Sequence, residues 1–248
     1  MAIFTNDFEE GDFTAWTSST GDCDIVHVPV HHNAHAAHFL EDANTGTACY
    51  ARKSLVAIDD VYTRGYVRYA QLPTANAETR CLALMSGATV KLVQANIRDD
   101  FGDVKWTMRT LNEANRDVTD ITPVVDTWYC IELWYHRGVA DGEAKMWIND
   151  VEKASRGALP SDVAVENVQV MCEASQAVST IDVNNYIDCV KVDSAYIGLE
   201  AAGGPTVKKG SCVPAMTALL TKFSSLKQTR EPKFQPRTFP KFTPRSLI

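Results

Sequence analysis

The 248 residues predict an all-β fold, a two-sheet antiparallel sandwich, and three observations predict it. Segments of period-2 hydrophobicity recur from residue 24 to residue 192, and Gly, Pro, Asn and Asp clusters such as 99–103 and 159–162 separate them. No long stretch of that region shows a 3.6-residue period. Strands following strands with no helices between them point to two packed sheets, not to a parallel α/β arrangement.

In chain order the predicted strands are Asp24–Val30, Val61–Gln71, Arg80–Met85, Val90–Ile97 and Lys105–Thr110, then Trp128–Arg137, Glu143–Asn149, Ala164–Cys172 and Asn185–Val192. The clearest unit joins Trp128–His136 to Ala144–Asn149. Asp141-Gly142 reads as a two-residue hairpin turn, because that pair tolerates positive φ at both positions. This loop sets His136 opposite Trp147, Trp134 opposite Asn149 and Tyr135 opposite Ile148. Ile131, Leu133, Tyr135, Met146 and Ile148 then form a core face. Glu132, Trp134, His136, Lys145, Trp147 and Asn149 share the other face. Aromatic rings beside a carboxylate, an imidazole and an amide suit a sugar, whose apolar side stacks while its hydroxyls are hydrogen-bonded. A solvent-facing sheet whose tryptophans are covered by a loop is the plainer alternative.

Composition narrows the class. With 45% hydrophobic and 22% charged residues the chain has material for a sizeable core. No apolar run approaches the roughly 18–20 residues of a membrane span. Residues 1–10 show no basic, then apolar, leader pattern, so synthesis in the cytoplasm is expected. The seven cysteines (23, 49, 81, 130, 172, 189 and 212) contain no C-x-x-C pair, which fits a reducing compartment.

Several segments resemble a known family. Asn6-Asp-Phe-Glu-Glu-Gly-Asp-Phe-Thr-Ala-Trp16 resembles the opening strand of concanavalin A-like jelly rolls, and Tyr186-Ile-Asp-Cys-Val-Lys-Val192 their closing strand. Pro29–His38 with Val61–Tyr69 is similar to their early strands, and Trp128–Asn149 resembles the laminin-G-like hairpin. The likeness covers about residues 3–200 and implies a jelly-roll sandwich. It also implies a role among lectins, adhesion modules, glycoside hydrolases, polysaccharide lyases and virion surface proteins, without choosing between them. It further implies a structural calcium held by Asp7, Glu9 and Asp188, hard oxygen donors joining first strand to last.

Catalytic motifs of that family are missing. Neither E-x-D-x-x-E nor R-x-E-x-R occurs, and Gln94-Ala-Asn96 is the nearest approach to a lyase Q-[IV]-H, without its histidine. Arg64, Tyr66 and Arg68 share one strand face and read as surface arginines. His32, His35 and His38 recur every three residues, which on an extended chain turns them to alternate faces and away from a shared metal.

The last 48 residues differ from the rest. Positions 201–248 carry nine of the 24 Lys/Arg and one of the 31 acids, leaving the body 15 bases against 30 acids. Residues 201–212 read as a linker and 213–227 as an amphipathic helix. Pro232-Lys-Phe-Gln-Pro-Arg-Thr-Phe239 and Pro240-Lys-Phe-Thr-Pro-Arg-Ser-Leu247 form a period-eight repeat. Prolines at this density favour an extended arm, with Phe234, Arg237, Phe239, Phe242 and Arg245 as regular anchors. Expected partners are neighbouring subunits of a homo-oligomer or a scaffold protein. Nucleic acid is disfavoured by the acidic body.

The function these readings favour is a non-enzymatic, lectin-like surface protein, anchored by its arm to an assembly such as a virion and bearing a glycan site. The alternatives are a polysaccharide-active enzyme, lyase-like, and a free-standing lectin.

Overall fold

The computed structural model describes residues 2–43, 49–111, 115–174 and 179–200. The predicted linker, helix and arm at 201–248 lie outside them. Fifteen strands appear in order: β1 (Phe4–Asn6), β2 (Ser18–Thr20), β3 (Cys23–Val26), β4 (Ala36–Glu41), β5 (Cys49–Ile58), β6 (Asp60–Tyr69), β7 (Glu78–Ser86), β8 (Val90–Asp100), β9 (Asp103–Thr110), β10 (Asn115–Val118), β11 (Trp128–His136), β12 (Gly138–Ile148), β13 (Val151–Ser161), β14 (Val165–Ala174) and β15 (Val183–Asp193).

They form two antiparallel sheets. The first runs β13-β12-β11-β6-β15-β4-β3, with β1 also pairing β15; the second runs β10-β9-β8-β7-β14-β5-β2. Alternation along each strand sends one set of side chains between the sheets. There Phe39, Tyr69, Leu82, Leu84, Ile97, Trp106, Met108, Ile131, Leu133, Tyr135 and Ile187 make one continuous core. The polar residues between them face outward on both sheets, and function must be sought on these two outer faces.

Three sequence expectations need correction. The β11–β12 hairpin pairs Glu132 with Trp147, Trp134 with Lys145 and His136 with Glu143, four residues away from the expected register. Asp141 and Gly142 do not take positive φ; the wider loop folds back so that Gly138 and Gly142 pack where a Cβ would meet backbone. Because the slip is even, every side chain keeps its face. The strand expected over Asp24–Val30 ends at Val26. The segment Leu159–Asp162, taken as a break, is largely the end of β13, where Leu159 enters the core and Pro160 sits on an edge strand with no ladder to break.

Two-residue turns with positive φ lie elsewhere. Asn149 (φ +51°) and Asp150 (φ +69°) join β12 to β13, and Phe101 (φ +55°) and Gly102 (φ +94°) join β8 to β9, where Asp99 Oδ1 accepts the Gly102 N–H at 2.7 Å.

Candidate functional site

The outer face of the first sheet carries the residues singled out in the sequence, but separates them. Glu132 is 2% exposed, and its two oxygens accept the N–H groups of Ile197 (2.8 Å) and Gly198 (2.9 Å) as the chain crosses the sheet. Burial raises its pKa, opposed by those two amides. Asn149 sits in the β12–β13 turn at φ +51°, its side-chain oxygen accepting from Cys130 N and its own N–H donating to Cys130 O. Trp134, His136, Lys145 and Trp147 remain together.

Trp134 is near-parallel to His136 (6.1 Å, 24°) and to Tyr62 (5.9 Å, 22°), with Lys145 Nζ 5.1 Å from its ring centre. Trp147 packs against Tyr62 and Tyr196. Trp134 Nε1 donates to Asp60 at 2.6 Å. A sugar needs an open ring face, and much of the Trp134 surface is already occupied by its neighbours.

The acids expected to hold calcium serve other partners. Glu9 Oε1 accepts the N–H groups of Ala34 and His35, and Asp188 Oδ2 those of His31 and His32. Asp188 Oδ1 accepts from Cys189 N at 2.7 Å; burial pushes this carboxyl up to about 6, against the amides that favour its charged form. Asp7 Oδ1 faces the N–H of Glu9. The carboxylates of Glu9 and Asp188 thus clamp two ends of the 31–35 loop. Arg64 is not a surface residue: it is 4% exposed and donates to Gly198 O and Glu200. Arg68 is bonded to Asp126.

The outer face of the second sheet is built differently. Its register aligns one row across all seven strands: Arg116, Arg109, Gln94, Ala83, Gln169, Arg52 and Ser18. Neighbouring strands lie ~4.8 Å apart, so the row is roughly 29 Å long. At its centre Ala83, Met85 and Met171 with Tyr50 make a small apolar strip apart from the core. A glutamine and then an arginine flank Ala83 on each side.

The electrostatics of this face favour an anion. Arg52, Arg80, Lys91, Arg98, Lys105, Arg109 and Arg116 outnumber Glu78, Asp100, Asp103 and Glu173. Glu78, fully buried, accepts from Arg109 Nε (2.8 Å) and Nη2 (2.6 Å), Asn96, Thr107 and Arg98. Burial would raise its pKa, but the hydrogen bonds from Arg109 and Asn96 and the Arg109 charge outweigh it and hold the carboxyl at about 2. Arg80 pairs with Glu173 at 2.7 Å, and Arg52 donates twice to Gln169 Oε1. Gln94 is 1% exposed, yet neither its Oε1 nor its Nε2 has a hydrogen-bond partner. Arg116 lies opposite Arg109, whose charge Glu78 already balances.

Sequence reasoning noted Gln94 and Asn96 but missed the row. A signal was present in the strict alternation of Gln94, Asn96 and Arg98 with Val93, Ala95 and Ile97, repeated by Lys105, Thr107 and Arg109 next door. Seeing the row also requires the partner strands β14 and β5, which sequence alone does not pair.

No family model matches this sequence, and no curated protein does. Solved structures do. The cellulose-induced protein Cip1 matches with TM-score 0.58 and 17% identity over 79% of this chain and 99% of its own. A carbohydrate esterase of the Shiga toxin-encoding bacteriophage phi24B matches with TM-score 0.55 and 12% identity over 77% and 97%. Alginate lyase vAL-1 from Chlorella virus matches with TM-score 0.52 and 14% identity over 78% and 99%. The fold is an all-β, two-sheet jelly-roll sandwich. At these identities the likeness shows the fold alone.

Proposed function

We propose that the chain is a carbohydrate-binding jelly roll whose ligand is an acidic polysaccharide lying along the Arg116–Ser18 row of the second sheet. The observation that carries this reading is Gln94, an amide with unused donors and acceptor beside an apolar floor and between arginines. Sugar hydroxyls satisfy such an amide once the side chains that cover it part, and uronate or sulfate groups meet the half-buried Arg116 and Arg52, with Arg109 held behind them by Glu78. The names of the structural neighbours, a carbohydrate esterase and an alginate lyase among them, agree with a carbohydrate ligand.

Binding is favoured over cleavage. All six histidines lie on the first sheet or in the loop before β4, so no imidazole stands on this face to move a proton. Asn96, where the lyase pattern has its histidine, donates to Glu78. Display of the module on an assembly through residues 213–248, with neighbouring subunits or a scaffold as partner, belongs to the same proposal and rests on the sequence of the arm.

Affinity electrophoresis in alginate or polygalacturonate against a neutral glucan tests it. Retardation by the acidic gels is expected, weakened by salt, with Arg116→Ala reducing affinity several-fold and Gln94→Leu by ~10-fold or more. Gln94→Leu is expected to fold at least as well as the parent, since it removes an unpaired buried amide. Equal retardation by neutral gels, or a loss confined to Trp134→Ala and Trp147→Ala, places the ligand elsewhere and sinks the proposal.

A further inference from the structure

A second site lies on the outer face of the first sheet, where β15 is irregular. Its register with β6 slips between Asp188↔Tyr66 and Lys191↔Arg64, so that Cys189 and Val190 together oppose Gly65. Cys189 takes φ +52°. Val190 stays in the core, while the extra residue turns the Cys189 side chain outward beside Tyr66 and Cys130. The loop after β3 is tied down over this bulge by the bonds from His31 N and His32 N to Asp188. The His31 ring stacks on Tyr66 at 3.6 Å with Trp128 against its edge, and its Nδ1 is buried with no partner. From the other side Glu200 arrives, its N–H donating to the Tyr66 hydroxyl and its Oε1 accepting from Arg64 at 2.6 Å. Glu200 Oε2 lies 4.0 Å from His32 Nδ1.

We propose that His31, Cys189 and Glu200 bind a divalent cation of the zinc class. One ligating atom from each lies within 4.8 Å of the others, the one such trio among the described residues. Bonds of ~2.0–2.3 Å keep any two ligands of a tetrahedral ion within ~4 Å, so closing the site needs side-chain shifts of under about 1 Å. A thiolate, an imidazole and one carboxylate select zinc, cobalt or a similar ion over calcium or magnesium. The bond from Arg64 to its Oε1 and the bond from its own N–H to the Tyr66 hydroxyl orient Glu200, as groups around a metal ligand do. A cavity of about 270 Å³ lined by Asp7, Glu10, Arg64, Cys189 and Glu200 adjoins the trio and offers room for a fourth ligand such as water. Ion binding breaks the Cys189 S–H bond, forms the sulfur–metal bond and releases the proton to solvent.

Cobalt(II) titration of the full-length, reduced protein tests the assignment. The expected result is a saturable sulfur-to-cobalt charge-transfer band in the near ultraviolet, displaced by zinc and stronger in affinity as pH rises. The band should persist in Cys23→Ser, which removes the one partly exposed thiol among the described residues. It should vanish in Cys189→Ser, and His31→Gln should weaken binding by roughly 10–100-fold or more. Circular dichroism of each variant checks folding; if Cys189→Ser does not fold, His31→Gln decides. Absence of the band in the parent, its survival in Cys189→Ser, or unchanged affinity in His31→Gln overturns the proposal.

Discussion

Glu78 shows how one side chain supports a face made for ligands. It is enclosed by Arg109, Arg98, Asn96 and Thr107, and without it the buried Arg109 guanidinium keeps its charge and loses its counter-ion. Glu78→Ala is expected to cost ~3–5 kcal/mol in a denaturant melt. Its pKa is lower in the folded chain, about 2 against an ordinary 4.5, so its contribution is complete above pH 4.5 and lost as pH falls towards 2. Thermal melts across that window should drop steeply for the parent and less for Glu78→Gln. None of this was legible in the sequence, where Glu78 precedes a predicted strand and has no visible partner. The aromatic face was legible as a set of residues; that Glu132 lies beneath Ile197 and Gly198 was not, because the covering segment lies 65 residues downstream.

Strands explain why the sequence could be right about faces and wrong about registers. Period 2 alone sorts Ile131, Leu133 and Tyr135 from Glu132, Trp134 and His136, and the four-residue slip of β11 on β12 leaves that sorting intact. Turn chemistry was the weaker guide. The sequence offers Asp141-Gly142 as the tight turn, yet the tight turns fall at Asn149-Asp150 and at Phe101-Gly102, in the second of which Asp99 and Asn76 accept the two turn N–H groups. Phe101 is 88% exposed and gains little there. Phe101→Asn should therefore stabilise the protein by several tenths of a kcal/mol, while Gly102→Ala, at φ +94°, should destabilise it by ~1–2 kcal/mol. Chemical denaturation of the two variants reads both signs; the idea fails if they move together.

The whole chain divides by charge, an acidic body before residue 200 and a basic arm after it. The fold class was legible because strand periodicity and turn spacing persist over nearly two hundred residues. Sheet order was less so: β5 pairs with β14 and β4 with β15 across more than a hundred residues each. The display proposal predicts that the full chain is an oligomer in light scattering and that ending it after residue 203 yields a monomer. Monomers in both cases would detach the arm from self-assembly and leave only a foreign scaffold.

The place of β15 has a further consequence. The last strand of the body lies between β6 on one side and β4 and β1 on the other, so the first sheet stays split until residues 183–193 arrive. On the ribosome, β6 and β4 must wait with bare edges while some 110 intervening residues are made. The sandwich is therefore expected to close only once β15 has emerged, and a stalled chain cut short of residue 183 should be the form that chaperones and proteases recognise.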